Sequence, residues 1–186
     1  MIDPGLDPGA ILQQLEEQNL EVPAILNTHG HADHIAGNAA LKKLFPHAQL
    51  IIGKDDAHML SDAEANLSAS FGMSIGSPPA DRTVSEGDVI EIAGIQLEVL
   101  DLPGHSPGHV VFLFRGEPII VFGGDVLFRN GIGRTDFFNS RPDVFLDGIR
   151  QKLYMLPHDT VVYPGHGPVT TVGYERQTNP FVRAEP

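Results

Sequence analysis

The stretch Thr28-His29-Gly30-His31-Ala32-Asp33-His34 constrains this chain more than any other. Three imidazoles and a carboxylate crowd into the six residues from His29 to His34, directly after an apolar run that ends at Asn27. Neutral imidazole suits borderline divalent cations and a carboxylate neutralises part of their charge, so the mixture is that of a zinc-type site. His29 and His31 are two apart and leave the same face of an extended segment, while His34 can reach back from the first turn of a following helix. One strand end and one helix start can therefore serve two adjacent ions. The bland alternative is a polar strand-to-helix loop with Asp33 as its N-cap. Three histidines and an aspartate at this spacing leave that alternative little room.

The chain's 186 residues are expected to form one domain, residues 1–186, able to bury a sizeable core, about 70% of the unfolded surface. No apolar run approaches the length of a membrane span and the first residues carry no signal pattern, so a cytoplasmic location and no membrane partner are expected. A formal charge of −12 argues against nucleic acid as a partner, because phosphates are neutralised by Lys and Arg. The chain has no cysteine, which excludes disulfides, thiolate ligands and a thiol nucleophile. Any metal must rest on His, Asp, Glu or backbone.

Asp7-Pro8 reads as an N-cap followed by proline at the first helical position, opening an amphipathic helix to Asn19 with Ile11, Leu12 and Leu15 inward. A strand from Val22 to Asn27, a helix from Ile35 to Phe45 stopped by Pro46, and a strand from Gln49 to Ile52 make a βαβ unit. The histidine cluster then sits at the carboxyl end of its strand, where open α/β sheets hold ligands. Residues 61–82 read as a long loop with at most a short helix near Ala65–Phe71, equally well a mobile, substrate-facing flap or a loosely ordered surface excursion. From Val89 the period becomes two: one hairpin turns at Ala93-Gly94 and a second at Arg115-Gly116-Glu117. A helix with capping-box spacing at Ser140-Arg-Pro-Asp143 and a late strand at Thr160–Tyr163 follow. Strands flanked by helices predict a sheet-on-sheet core with helices outside.

Three further residues occupy turns that present a ligand at a strand's end. His105 lies in Leu102-Pro-Gly-His-Ser-Pro-Gly-His109, Asp125 follows Val121-Phe-Gly-Gly124, and His166 lies in Tyr163-Pro-Gly-His-Gly-Pro168. Each taken singly reads equally well as an ordinary turn residue. His47, His58, His109 and His158 fall outside this pattern, and His109 is expected to pack at the start of a strand, with a supporting role beside His105 as the alternative.

Together, the ordered pattern H-x-H-x-D-H, lone His, lone Asp and final His resembles the metallo-β-lactamase superfamily, over the chain from Ile2-Asp-Pro-Gly5 to its end. The resemblance implies an α/β fold, the four-layer αββα sandwich. It also implies that one ion is held by His29, His31 and His105, a second by Asp33, His34 and His166, and that Asp125 bridges them. The stretches Asn130-Gly-Ile-Gly-Arg-Thr-Asp-Phe137 and Tyr163 to Phe181 are most similar to glyoxalase II-like hydrolases of the short type, which lack a C-terminal helical domain. The missing cysteine departs from those β-lactamase classes that use a Cys ligand, which argues against antibiotic hydrolysis. Ile2-Asp-Pro-Gly5 resembles the end of a strand that one or two more strands precede in this superfamily, so the first sheet is expected to lack an edge partner.

The function implied is hydrolysis of a small-molecule thioester such as S-D-lactoylglutathione. Two divalent ions roughly 3.5–4 Å apart can share one water and lower its pKa, giving a bridging hydroxide near neutrality. Zinc is the expected metal, and iron or manganese also accept this donor set. Asp33 is both ligand and the nearest proton acceptor. Arg134 is a candidate substrate-binding residue, with a structural ion pair to Asp136 as the alternative. A different activity is implied by the persulfide dioxygenases, which Gly133-Arg-Thr-Asp-Phe137 also resembles and which use a single iron on the equivalents of His29, His105 and Asp125. His166 followed by Gly167-Pro168 favours the hydrolase.

Overall fold

A strand buried on both faces reads as an unbroken apolar run, and Ala24–Asn27 is such a strand, β1, with all four residues buried. In the computed structural model, which describes residues 1–183, β1 pairs in parallel with β2 (Gln49–Gly53), and β2 pairs in parallel with β3 (Arg82–Val84). Ile2 adds a parallel bridge to Leu26. Internal contacts group the chain into two units, Met1–Val84 and Ser85–Pro186.

The first unit begins with α1 (Gly9–Glu17). Its first helical bond runs from Leu12 N–H to the Pro8 carbonyl, so Pro8 rather than Asp7 is the cap. The Asp7 carboxylate instead accepts from Gly9 N–H. The helix expected over 35–45 is divided into α2 (Ala32–Ile35) and α3 (Asn38–Leu44). The division falls at Gly37, where a Cβ would stand 2.8 Å from Pro4 Cβ and 3.1 Å from the Pro4 and Gly5 carbonyl oxygens. The N-terminal segment crosses too close there for any other residue. Ile25, Ile35, Leu41, Leu50 and Ile52 are fully buried in the core of this unit, each contributing about 1.5–3 kcal/mol.

Between β2 and β3 the chain makes two 3₁₀ turns, Lys54–Leu60 and Ser68–Phe71. Asn66 and Ser68 are fully buried. The Asn66 amide donates to the Met59 and Ile75 carbonyls, and its carbonyl oxygen Oδ1 accepts from Ser68 N–H. The stretch expected to be a flap or a loose surface excursion is thus stapled through its middle, while Phe71 and Met73 stay exposed.

The second unit carries a six-stranded sheet in the order β11-β10-β7-β6-β5-β4. Its strands are β4 (Val89–Ile92), β5 (Ile95–Asp101), β6 (Val110–Phe114), β7 (Ile120–Gly124), β10 (Val161–Pro164) and β11 (Thr170–Thr171). Both expected hairpins are present, with Ala93 and Gly94 at positive φ in the first turn. A small ribbon, β8 (Leu127–Phe128) with β9 (Gly131–Ile132), was not foreseen, being too short to show a period. α4 (Pro142–Gly148) and α5 (Val172–Thr178) complete the unit, whose core includes Leu102, Val111, Leu113, Phe145, Leu153 and Val162. Ser140 does not cap α4 as its spacing predicts, since Arg141 is the cap and the Ser140 hydroxyl donates to the His105 carbonyl. No helix among the described residues is long and apolar enough to cross a membrane.

Candidate metal centre

In the first unit, β1 delivers Thr28 and His29 at its carboxyl end, and Asp3 meets them there. Asp3 Oδ1 accepts from Thr28 N–H at 2.8 Å, and Oδ2 accepts from the Thr28 hydroxyl at 2.7 Å and from His34 Nδ1 at 3.0 Å. A carboxylate on Nδ1 fixes the proton there and leaves Nε2 of His34 as the basic nitrogen. With its hydroxyl proton committed to Asp3, Thr28 accepts from His29 Nδ1 at 3.0 Å, so the same tautomer follows for His29 from the network. The His29 ring lies edge-on to His31 at 4.7 Å and tilted against His34 at 4.1 Å. All three rings are buried. His34 Nε2 stands 3.7 Å from Asp33 Oδ2, and the Asp33 side chain is 42% exposed.

Gly30, between the first two histidines, donates its N–H to Asp56 Oδ2 at 3.0 Å. A Cβ there would lie 2.5 Å from Met59 Cβ, so the 3₁₀ turn presses directly against the ligand loop. Ala32 N–H is held by the Asn66 carbonyl. Nothing in the sequence pattern pointed to Asp3 and Asp56 as supports. Asp56 stands beside the exposed Asp55 in a short charge run, and nothing local separates the two.

In the second unit Asp125 faces two histidines, one with each oxygen. Oδ2 is 3.6 Å from His105 Nε2, and Oδ1 is 3.7 Å from His166 Nε2. These gaps are too long for hydrogen bonds. They match two ligands of one cation, which at bond lengths near 2.0–2.2 Å and tetrahedral angles lie ~3.3–3.6 Å apart. His105 Nδ1 donates to the Arg134 carbonyl at 2.7 Å, again leaving Nε2 basic. The donor set in both units is imidazole nitrogen and carboxylate oxygen, with Nδ1 of His29, His34 and His105 already committed, and it fits a divalent metal.

His109 is more than strand-start packing. It is fully buried, and its Nε2 accepts the Asp125 N–H at 3.1 Å. Its place just after His105 left a supporting role open, but the bond is to the backbone of Asp125, which no local pattern encodes. His47, His58 and His158 are exposed, as their place outside the pattern implies. The Arg134 guanidinium lies 4.6 Å from the Phe137 ring centroid and pairs through two nitrogens with Asp136, both contacts 2.9 Å. That pairing raises the Arg134 pKa and lowers the Asp136 pKa from their ordinary values. The ion pair expected as the alternative is therefore present, on exposed side chains.

A family model of the metallo-beta-lactamase superfamily matches residues 1–166. The chain is 36% identical over 187 residues to hydroxyacylglutathione hydrolase GloC of Haemophilus influenzae, covering 100% of this chain and 87% of that protein. Among solved structures, BLEG-1 B3 metallo-beta-lactamase is similar with a TM-score of 0.93 and 36% identity, over 97% of this chain and 87% of that one. TTHA1623 in a di-iron-bound form gives 0.85 and 37%, over 97% and 88%. ETHE1 from Myxococcus xanthus gives 0.77 and 30%, over 96% and 71%.

Proposed function

The chain belongs to the metallo-beta-lactamase superfamily and has its α/β fold, and from that premise we propose that it is a binuclear hydrolase of glyoxalase II type, acting on an acyl-glutathione or related thioester. The observation that carries the reading is the Asp125 carboxylate, which offers one oxygen toward His105 and the other toward His166. In this proposal His29, His31 and His105 hold one ion, Asp33, His34 and His166 hold the other, and Asp125 serves both. Divalent ions so held would supply Lewis acidity toward a carbonyl oxygen and lower the pKa of water.

The chain's own residues do the rest. Asp3 and Thr28 fix the tautomers of His34 and His29, and the Arg134 carbonyl fixes that of His105. Asp33, the more exposed of the two carboxylates, is the residue placed to take a proton. The Arg134 guanidinium lies over the Phe137 ring, which in turn lies edge-on to His105, and in this reading it leaves its weak exposed pair with Asp136 to bind an anionic substrate. The small-molecule partner, zinc as the metal and a cytoplasmic location belong to the same proposal.

The second reading, a persulfide dioxygenase with one iron on His29, His105 and Asp125, is favoured by the resemblance carried by Gly133-Arg-Thr-Asp-Phe137. The two part on metal content and on product. Protein purified without added metal is expected to carry about two ions per chain and to cleave S-D-lactoylglutathione, and Asp125→Asn should lose metal and hydrolysis together. One iron per chain with oxygen uptake on glutathione persulfide would overturn the hydrolase. Turnover of a β-lactam, lactone or phosphodiester far above the thioester would place the activity in another branch; the similarity to BLEG-1 makes the β-lactam assay necessary.

A further inference from the structure

The β8–β9 ribbon has a ligand or a ligand's support at each end. Asp125 precedes β8 with only Val126 between them, and Arg134 follows β9 with only Gly133 between them. Leu127 pairs with Ile132 and Phe128 with Gly131. At the open end the strands are so close that a Cβ on Gly133 would lie 2.0 Å from the Asp125 carbonyl oxygen and 3.1 Å from His105 Nδ1. One ribbon therefore sets both the Asp125 carboxylate and the Arg134 carbonyl that receives His105 Nδ1. Two-residue strands do not hold a conformation by themselves.

The tip of the ribbon is held from α5. Glu175 Oε2 accepts from Asn130 N–H at 3.0 Å and from the Asn179 amide at 2.9 Å, while Oε1 accepts from the Thr170 hydroxyl. The same Asn179 amide nitrogen donates to the Gly131 carbonyl at 3.0 Å. Asn130 has φ of 60°, a left-handed conformation that the tip needs and that its neighbours must sustain. Glu175 and Asn179 are both fully buried. They belong to the Tyr163–Phe181 stretch, in which only His166 is used by the proposed chemistry.

We infer that Glu175 and Asn179 are positioning residues for the metal centre, fixing the ribbon tip so that its two ends present the Asp125 carboxylate and the carbonyl that orients His105. The inference rests on the metal-binding reading above, though not on the substrate. Two buried side chains, one on α5 and one at its C-cap, hold a turn whose strands end at the ligands, so a loosened tip would be felt as misplaced oxygen atoms on Asp125 and a rotated His105 ring.

The test uses the full chain, zinc affinity by chelator competition, and the visible spectrum of the cobalt(II) form, which reads ligand geometry. Glu175→Ala and Asn179→Ala are expected to bind zinc about tenfold more weakly and to shift the cobalt bands, the low end of what outer partners of ligands contribute. Glu175→Gln can still accept from Asn130 and Asn179 while turning its amide to Thr170, so it should restore both readouts. Leu153→Ala, a core substitution in the same unit, should lower the melting temperature and leave both unchanged. The inference is overturned if the two alanine variants melt earlier with wild-type affinity and spectrum, or if Leu153→Ala weakens zinc as much. Should Glu175→Ala not fold, Asn179→Ala decides, because it leaves the Glu175 bond to Asn130 in place. A wild-type chain that binds neither zinc nor cobalt would sink the metal reading itself, whereas binding with silent variants sinks only the positioning role.

Discussion

The two ligand-bearing regions solve the same problem by opposite means. In the first unit four candidate ligands lie within one strand-to-helix stretch, and the groups that hold them are mostly side chains, the carboxylates of Asp3 and Asp56 and the Thr28 hydroxyl, with the Asn66 backbone carbonyl on Ala32 N–H. In the second unit the three candidates come from separate turns, and one of the two groups that hold them is a backbone atom while the other is a histidine side chain. The Arg134 carbonyl receives His105, and the Asp125 N–H is received by His109. A contiguous motif carries its own geometry and needs only outer carboxylates to set tautomers. A dispersed one depends on how closely separate pieces of backbone approach, so the second region should tolerate less steric change and the first less chemical change.

Two glycines give the strongest contrast. Gly133→Ala would put a methyl 2.0 Å from the carbonyl oxygen of Asp125, an atom that cannot move without moving the ligand. Gly30→Ala meets Met59 Cβ at 2.5 Å, its Sδ at 3.0 Å and the Asp56 carbonyl oxygen at 3.2 Å, so the 3₁₀ turn itself must shift, but that turn carries no candidate ligand. Gly133→Ala is expected to lose its metal and to destabilise by more than the usual cost of overpacking, about 1–3 kcal/mol, while Gly30→Ala falls within that range and keeps partial occupancy. Metal content and thermal melting of both variants check this. If Gly30→Ala loses more metal, the contrast is reversed.

The chemical half of the contrast is smaller and has the opposite sign. Asp3→Asn puts an amide donor where Thr28 and His34 both donate, which disturbs the tautomers of two candidate ligands. About a 10- to 100-fold loss in zinc affinity is expected. His109→Ala removes one acceptor and leaves the Asp125 N–H buried without it, about 1–3 kcal/mol of stability, with a change in zinc affinity below that of Asp3→Asn. Chelator competition on the two variants ranks them. A larger affinity loss for His109→Ala would show that the second region also depends on side-chain supports.

The same contrast explains what could be read from the sequence. The first cluster was legible because its chemistry is contiguous and its strand and helix alternate in apolar period. His105, Asp125 and His166 were legible only as an ordered set, since each alone is an ordinary turn residue. Both hairpins followed from periodicity, and the four-layer fold from the resemblance. What stayed hidden was contact between distant backbone segments. The Arg134 side chain drew attention, yet its carbonyl is what touches His105. Ser140 had the spacing of a helix cap, but its hydroxyl found the His105 carbonyl instead. Gly37 split a helix because Pro4 passes beside it, which no local pattern encodes.

The smallest expected effect separates the stability of the first unit from its ligands. Asp81 Oδ2 accepts from Leu50 N–H and from the Lys42 ammonium, each at 2.8 Å, tying β2 to the start of β3. The Leu50 N–H, and then Lys42, hold the Asp81 pKa below its ordinary value. A carboxylate whose pKa is lower in the folded chain than in the unfolded one stabilises the fold at pH above the unfolded value, about 3.9, and loses that contribution as pH falls through the folded value. Because the pair is half exposed, its contribution is about 1 kcal/mol or less. Asp81→Asn should therefore melt slightly below wild type from pH 7 down to about 5, with the gap closing below about pH 4. A gap that persists at lower pH would mean that shape, not charge, is what Asp81 contributes. Zinc content at neutral pH should not change, because Asp81 touches none of Asp3, Asp56 or the histidines through any bond described above. Were zinc to fall with so small a loss of stability, the first cluster would depend on the whole unit rather than on its own local bonds, and the contrast between the two regions would not stand.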